Sequence, residues 1–255
     1  MCTQYFSSRS FILLFCVILG LSLAQCKRSS KIPDDIHLCK KDDPELNKCL
    51  EELFESVRPK LSQGIPEIGL PPMDPLILKE VVIFRGGTGQ NMRAVGHDIK
   101  ITGISNLKIN YIKADVENLE ISVGVHFPYL RYEGQYDVNA RFVNIPVKGK
   151  GPMRGNATEV DAQAILKGKF VEVNGEKFVE FTSATVDVDV KDYSVRVEKL
   201  FPDKQLNDAI NVLINDRKMQ SMATAKPIVN KVAGSMMLEM VNRIAKNLSF
   251  DEVFA

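Results

Sequence analysis

Between Leu76 and about Phe201, apolar residues recur at every second position. Only extended chain turns such a pattern to one face. In "LEISVGVHF" the face carries Leu119, Ile121, Val123, Val125 and Phe127. In "QYDVNARF" it carries Tyr136, Val138, Ala140 and Phe142, and in "ATVDVDV" Ala184, Val186, Val188 and Val190. The turn-forming stretches "GGTGQN", "PVKGKGP" and "VNGEK" separate the runs, and Asn174-Gly175 is a strong hairpin signal. Alternating strands joined by short turns predict an antiparallel meander with one apolar face. That face needs a cover.

The C-terminal segment supplies one. "KQLNDAINVLIN" carries Leu206, Ala209, Ile210, Leu213 and Ile214 at helical spacing. A second stretch carries Val229, Val232, Met236, Met240, Ile244 and Leu248. Pro227 opens that second helix or kinks one long one. From Lys226 to Leu248 the helix would span about 35 Å, enough to run along a curled sheet. Upstream, Asp43-Pro44-Glu45 reads as a helix start, with Asp43 as cap and Pro44 in the first turn. Leu46, Cys49, Leu50, Leu53, Val57 and Leu61 follow on one helical face, and Pro59 ends or kinks it. "GIPEIGLPPMDP" is an extended connector.

The front of the chain sets the compartment. The apolar run from Phe11 to Ala24 is too short for a comfortable bilayer span and suits a secretory signal, residues 1–24, cleaved before Gln25. Removing it leaves Cys26, Cys39 and Cys49. In an oxidising compartment the closely spaced Cys39 and Cys49 form the expected disulfide, worth roughly 3 kcal/mol in the entropic picture, and Cys26 is left over. A zinc site is disfavoured because no His pair lies nearby. Asn156-Ala157-Thr158 and Asn247-Leu248-Ser249 are glycosylation sequons.

Few residue patterns suggest catalysis. The net charge is +1, which gives no footing for a polyanion such as nucleic acid. His37, His97 and His126 lie far apart, without HExxH spacing, and there is no GxSxG elbow. "FRGGTGQNM" lacks the Gly-Lys-Ser/Thr ending of a phosphate loop and reads as a turn. Asp187 and Asp189 share a strand face with Asp192 just beyond. Calcium uses such oxygens, but a solvent-facing strand accounts for them more simply. Met219, Met222, Met236, Met237 and Met240 crowd the helical end. Core filler and the lining of an adaptable cavity both fit that pattern.

Several segments together carry a family resemblance. "GIPEIGLPPMDPLIL" (64–78) resembles the connector of the insect takeout and juvenile-hormone-binding-protein family. "GISNLKI" (103–109) is similar to its Gly-x-Ser-Asn segment, and "FPYLRYEGQYDVNARFVNIPVKGKG" (127–151) to its central strand pair. "LFPDKQLNDAINVLIND" and the terminal "FDEVF" resemble its helical end. The match covers nearly all of the mature chain in the right order. It implies a single takeout-like domain over 25–255 of α+β class, a tubular lipid-binding type in which a strongly curved antiparallel sheet wraps a long C-terminal helix. It further implies an interior tunnel for a hydrophobic ligand, no enzymatic activity and no cofactor. The family's N-terminal disulfide falls on Cys39 and Cys49. No cysteines remain for the second disulfide of the haemolymph carriers, which favours the takeout-like branch. The Trp that such chains tend to carry after the "NDAINVLIND" region is absent.

The expectation is a secreted, extracellular carrier, in haemolymph or another extracellular fluid, whose partner is a terpenoid hormone or a fatty acyl lipid. Expected lining residues are Val123, Val125 and Phe127, then Tyr136, Val138 and Phe142, then Val186 and Val188. From the helix come Val232, Met236 and Met240. Tyr136 offers a phenol to an ester or epoxide. Two rivals share these residues: a secreted interaction protein with a packed core that acts through a receptor or other protein partner, and a hydrolase of lipophilic esters.

Overall fold

The computed structural model describes residues 32–33, 36–85, 93–142 and 145–254. The signal segment, Cys26 and "GGTGQN" lie outside the described residues.

The period-two region forms one antiparallel sheet: β1 (Leu76–Arg85), β2 (Arg93–Thr102), β3 (Lys108–Asp115), β4 (Glu120–Phe142), β5 (Ile145–Val173) and β6 (Glu176–Val197). The spatial order is β1-β2-β4-β5-β6. β3 shares one edge of β4 with β2: it pairs with Glu120–His126, while β2 pairs with Arg131–Asn139. Laid flat, the 29 residues of β5 would reach about 95 Å. A strand that long has to bend.

The bend follows a row of irregular residues that crosses three strands. On β4, Val123, Val125 and Phe127 point inward, and the inward set then changes parity to Leu130, Tyr136 and Val138. On β5, Val160 and Ala164 give way to Ala157, Met153 and Val147, and on β6, Val188 and Val190 give way to Val197. Phe127, Val160 and Val190 form one rung, and Leu130, Ala157 and Tyr193 another. Between those rungs Pro128 and Glu159 drop out of the ladder, and Glu159 has φ +49°. One residue is skipped on each strand, so the pairing register is kept while the facing side changes on all three together. The result is a curled half-barrel with one continuous inward face.

"PVKGKGP" corrects the sequence expectation. It is not a turn but the first part of β5. Its glycines serve close approach: a Cβ on Gly151 would lie 2.1 Å from the Glu198 carbonyl oxygen, and one on Gly149 would lie 2.7 Å from that of Leu200. The chain leaving β6 crosses directly over this strand. Asn174-Gly175 does form the β5–β6 turn, with φ of +53° and +82°.

Four helices complete the described fold: α1 (Leu46–Val57), α2 (Lys204–Asp216), α3 (Lys218–Ala245) and α4 (Phe250–Val253). Asp43 does not cap α1. Its carboxylate accepts from the Glu45 amide at 2.8 Å, a local turn that delays the helix to Leu46. At Pro59 the chain tightens into a 3-10 turn, Arg58–Lys60. Pro227 does not open a helix; it lies inside one long helix, α3, which runs through it for 28 residues, about 42 Å. The Asp74 carboxylate holds the Gly-x-Ser-Asn turn through the amides of Gly103 and Ser105 and the Ser105 hydroxyl.

Asparagines fasten the helices to the outer edge of β6. Asn211 Oδ1 accepts from the Val197 amide and its Nδ2 donates to the Val197 carbonyl. Asn215 does the same at Val195 and Asn242 at Phe181. Asn207 takes the Leu200 amide and Asn230 that of Val188. These side chains satisfy backbone groups that a neighbouring strand would otherwise pair. They hold α2 and α3 alongside the sheet.

Candidate functional site: the apolar interior

Three apolar clusters line the inward face. The first gathers Leu61, Ile65, Leu70, Met73 and Leu107, with Val125, Phe127, Met240 and Ile244 packed against them. The second, between the middle of the sheet and α3, is built on Val160, Ala164, Val186 and Val188, with Val123, Phe127, Leu130, Ala233 and Met237 around it. Phe127 belongs to both and joins them. The third lies beyond the bend, where Tyr136, Val147, Leu200 and Ile210 meet Val138, Met153, Leu213 and Ile214.

The strand residues expected to line a ligand space therefore fall into all three. Val125 is in the first; Val123, Val186 and Val188 are in the second; Tyr136 and Val138 are in the third. Phe142 pairs with Ile145 through its backbone, and its side chain lies outside the description. From α3, Met240 packs on the first cluster. Val232 and Met236 are half-buried on the flank of the helix, while Ala233 and Met237 occupy the face turned to the sheet. The inward stripe is rotated by one residue because Asn230, Gly234 and Asn242 take the position against β6. A Cβ on Gly234 would lie 2.8 Å from the Ala184 carbonyl oxygen.

Inward-facing does not mean fully packed. Val160 and Ala164 are each 3 % exposed, yet Val123, Phe127, Leu130 and Met237 in the same cluster stay only half-buried. A close-packed core leaves few voids, so these side chains border space as well as neighbours.

Tyr136 does not offer a free donor. Its ring lies opposite Gly151 and its hydroxyl donates to the Glu198 carbonyl at 2.6 Å. Burial, then the nearby Glu198 charge, pushes its acidity to about 12. Tyr132 is arranged similarly across Gly155, with its hydroxyl 3.3 Å from the Ser194 carbonyl oxygen. Alternation within "QYDVNARF" pointed to Tyr136, but Tyr132 lies outside that stretch.

The disulfide between Cys39 and Cys49, with Cα atoms 5.9 Å apart, closes the N-terminal end. It ties the lead-in, where Ile36 packs on the first cluster, to α1, which contributes Phe54 and Val57. Outside the sheet, Asp187 and Asp189 face Lys226 of α3 at 3.0 and 2.6 Å, so these acids act as ion-pair partners. His126 Nδ1 lies 2.9 Å from Asp161 on β5. Two surface clefts, of about 410 and 260 Å³, are lined mostly by polar and charged side chains. The first is lined by Arg154, Arg196, Lys199 and Lys204, among others.

Comparison with known families decides what this architecture belongs to. The family described as haemolymph juvenile hormone binding protein matches residues 12–255. The chain belongs to that family. As a juvenile-hormone-binding-protein relative of the takeout-like kind, it is 22% identical over 214 residues to a putative beta-carotene-binding protein of Schistocerca gregaria, covering 83% of this chain and 84% of that one. It is 21% identical over 253 residues to the circadian clock-controlled protein daywake of Drosophila melanogaster, covering 94% and 96%. The crystal structure of Takeout 1 from Epiphyas postvittana matches with a TM-score of 0.68 at 22% identity, over 85% of this chain and 98% of that one. The curled sheet with C-terminal helices is thus the takeout fold. None of the described helices is long and apolar enough to cross a membrane.

Proposed function

We propose that this protein is a secreted extracellular carrier that sequesters an elongated hydrophobic molecule between β4–β6 and α3, and releases it unchanged. A juvenile-hormone-like terpenoid or a fatty acyl chain has the right character. The observation that carries this reading is the set of inward-facing apolar side chains, Val123, Phe127, Leu130 and Met237, that keep accessible surface while their neighbours are buried. A protein acting only through its outer surface has no use for such an interior. The beta-carotene-binding description of one relative, an elongated hydrocarbon by that name, supports the same ligand class.

Burial is worth about 0.8 kcal/mol per methylene, so some 15 carbons give a gross term of about 12 kcal/mol. Loss of translational and rotational freedom removes several kcal/mol of that. Micromolar to nanomolar affinity follows, with ligand length weighing more than head group. The proposed lining is Val123, Phe127, Val186 and Val188 from the sheet, with Met237 and Met240 from α3.

The test is organic extraction of the protein purified from a secreting host, followed by mass spectrometry, together with displacement of a fluorescent fatty-acid probe. A co-purifying lipid or saturable probe binding is expected. No lipid and no probe binding would overturn the carrier reading.

A further inference from the structure

We propose that the cleft of about 410 Å³ between the end of β6 and the start of α2 is an anion site for a phosphoryl group, held by Arg154, Arg196, Lys199 and Lys204. The site is separate from the apolar interior and does not depend on the carrier reading.

The charges are the first argument. Met153 and Val197 turn inward, so Arg154 and Arg196 turn outward, and the ladder sets them directly opposite each other. Like charges opposed across a strand pair destabilise a sheet. The nearby acids answer this only in part. One oxygen of Glu198 lies 3.6 Å from Arg154 and 3.7 Å from Arg196, and an oxygen of Asp208 lies 3.4 Å from Arg196. Charge-assisted bonds between such groups run about 2.7–2.9 Å, so both guanidiniums keep donors that no carboxylate fills closely. Glu133, opposite Arg154 on β4, is shared between Lys100 at 3.6 Å and Arg131 at 3.7 Å. Lys199 and Lys204 line the same cleft and make no ion pair among the described residues. Four cations against two carboxylates leave the cleft two charges positive, in a chain whose net charge is +1.

The second argument is that the backbone fixes this arrangement. The buried Asn207 donates to the Val197 carbonyl and accepts from the Leu200 amide, so it brackets Glu198 and Lys199. The Tyr136 hydroxyl holds the Glu198 carbonyl at 2.6 Å. Between these ties Lys199 has φ +60°, a left-handed conformation uncommon for any residue but glycine. Such a conformation persists where the surroundings hold it, and it gathers at ligand clamps.

The donor set selects the anion. A guanidinium presents a planar fork of N–H groups that fits phosphate oxygens, and an ammonium adds a point charge. A phosphate monoester carries about −1.5 to −2 at neutral pH, which matches the excess in the cleft. A carboxylate brings one charge and leaves half of that excess unanswered.

The experiment titrates inorganic phosphate and, separately, acetate into the protein by calorimetry in phosphate-free buffer. It compares wild type, Arg154→Gln/Arg196→Gln, Glu198→Gln, and a charge-matched control, Lys231→Gln/Lys246→Gln, at two exposed lysines that do not line the cleft. Wild type and control should bind phosphate alike and more tightly than acetate. The arginine variant should bind phosphate about tenfold more weakly. Glu198→Gln should bind it more tightly, because both guanidiniums are then released from their shared carboxylate. No phosphate binding by wild type, an equal loss in the control, or weaker binding by Glu198→Gln overturns the site. Flotation with vesicles of phosphatidic acid in phosphatidylcholine distinguishes the sources. Vesicle binding that free phosphate competes away and the arginine variant loses assigns the site to a lipid headgroup. Phosphate binding without vesicle binding assigns it to a soluble phosphate ester. Should the arginine variant fail to fold, nitrogen-15 spectra of wild type decide. Phosphate should move the arginine Nε–H signals and the amides of Lys199 and Lys204 and leave that of Lys231 in place. Spectra in which those signals stay still overturn the proposal.

Discussion

Asn242 of α3 closes both free backbone groups of Phe181 on the edge of β6: its Oδ1 accepts from the amide at 2.9 Å and its Nδ2 donates to the carbonyl at 2.8 Å. One side chain here does the work of a neighbouring strand. Asn211 and Asn215 repeat the arrangement at Val197 and Val195, so the covering helices are joined to the sheet by directional bonds as well as by apolar contact. That leaves the apolar contact free to be loose, as the proposed carrier role would require.

Asn242→Ala should therefore destabilise the protein well beyond an ordinary surface substitution. It leaves a partly buried N–H and C=O without partners, at about 1–3 kcal/mol for the site. Asn242→Asp keeps the acceptor but loses the donor and sets a carboxylate against the Phe181 carbonyl, so it should be no better. Urea unfolding midpoints measure both, and a midpoint equal to wild type in Asn242→Ala would show that the pairing contributes nothing.

Gly151→Ala tests the close crossing at the far end. The added Cβ would stand 2.1 Å from the Glu198 carbonyl oxygen, and backbone has to move to admit it. Overpacking of this kind costs about 1–3 kcal/mol. The same movement opens the surroundings of Tyr136, whose pKa is raised first by burial and then by the Glu198 charge, so alkaline titration at 295 nm should show that phenol ionising at lower pH than in wild type. A variant with unchanged stability and unchanged tyrosine titration would contradict the crossing.

These residues also show where sequence reading reaches and where it stops. Alternation identified the strands and 3.6-residue spacing identified the helices, because both periods are imposed by backbone geometry. Phe127 and Tyr136, however, lie an odd number of positions apart, and in a regular strand they would face opposite sides. Both point inward because Pro128 and the positive φ of Glu159 break the alternation. The two runs were legible separately, but the break between them was not. "PVKGKGP" has turn composition, yet its glycines are needed for another chain to pass overhead. On α3 the apolar residues spread round most of the helix, so spacing alone left the inward stripe one residue off, at Val232 and Met236 instead of Ala233 and Met237. The signal that could have oriented it was polar: Asn230 and Asn242 reach the backbone of β6 from α3, as Asn207, Asn211 and Asn215, spaced every four residues, reach the chain at the end of β6 from α2.

The ion pairs between α3 and β6 should give stability a defined pH dependence. Hydrogen bonds from Lys226 and then Asn230 hold the Asp187 carboxyl below its ordinary 3.8. Hydrogen bonds to Asp189 and then Asp187 raise Lys226 above its ordinary 10.5. A depressed carboxylate contributes stability that is complete above the unfolded value and lost as pH falls through the lower folded one. A raised lysine contributes stability that is complete below its unfolded value and lost as pH rises through the higher folded one. The difference in Tm between wild type and Lys226→Met should accordingly be flat from roughly pH 5 to 9 and shrink on both sides. A difference that persists undiminished at pH 2 would rule the pairs out as its source.

The two sequons should not be equivalent. Asn247 Nδ2, the atom a glycan would occupy, donates to the carbonyls of Arg243 at 3.0 Å and Ile68 at 3.3 Å. It fits only because Gly69 has no side chain: a Cβ there would lie 2.5 Å from it. Ser249, the third residue of that sequon, is buried and caps α4 in a reciprocal pair with Glu252. A glycan added during synthesis would keep the end of α3 from closing on the connector. Asn156 instead lies on the outer face of β5, beside Ser194 and opposite Arg131. Enzymatic deglycosylation of the secreted protein in heavy-oxygen water should convert Asn156 to labelled Asp and leave Asn247 as Asn. Labelled Asp at 247 in folded, secreted protein would mean that the contact between Asn247 and the connector is dispensable.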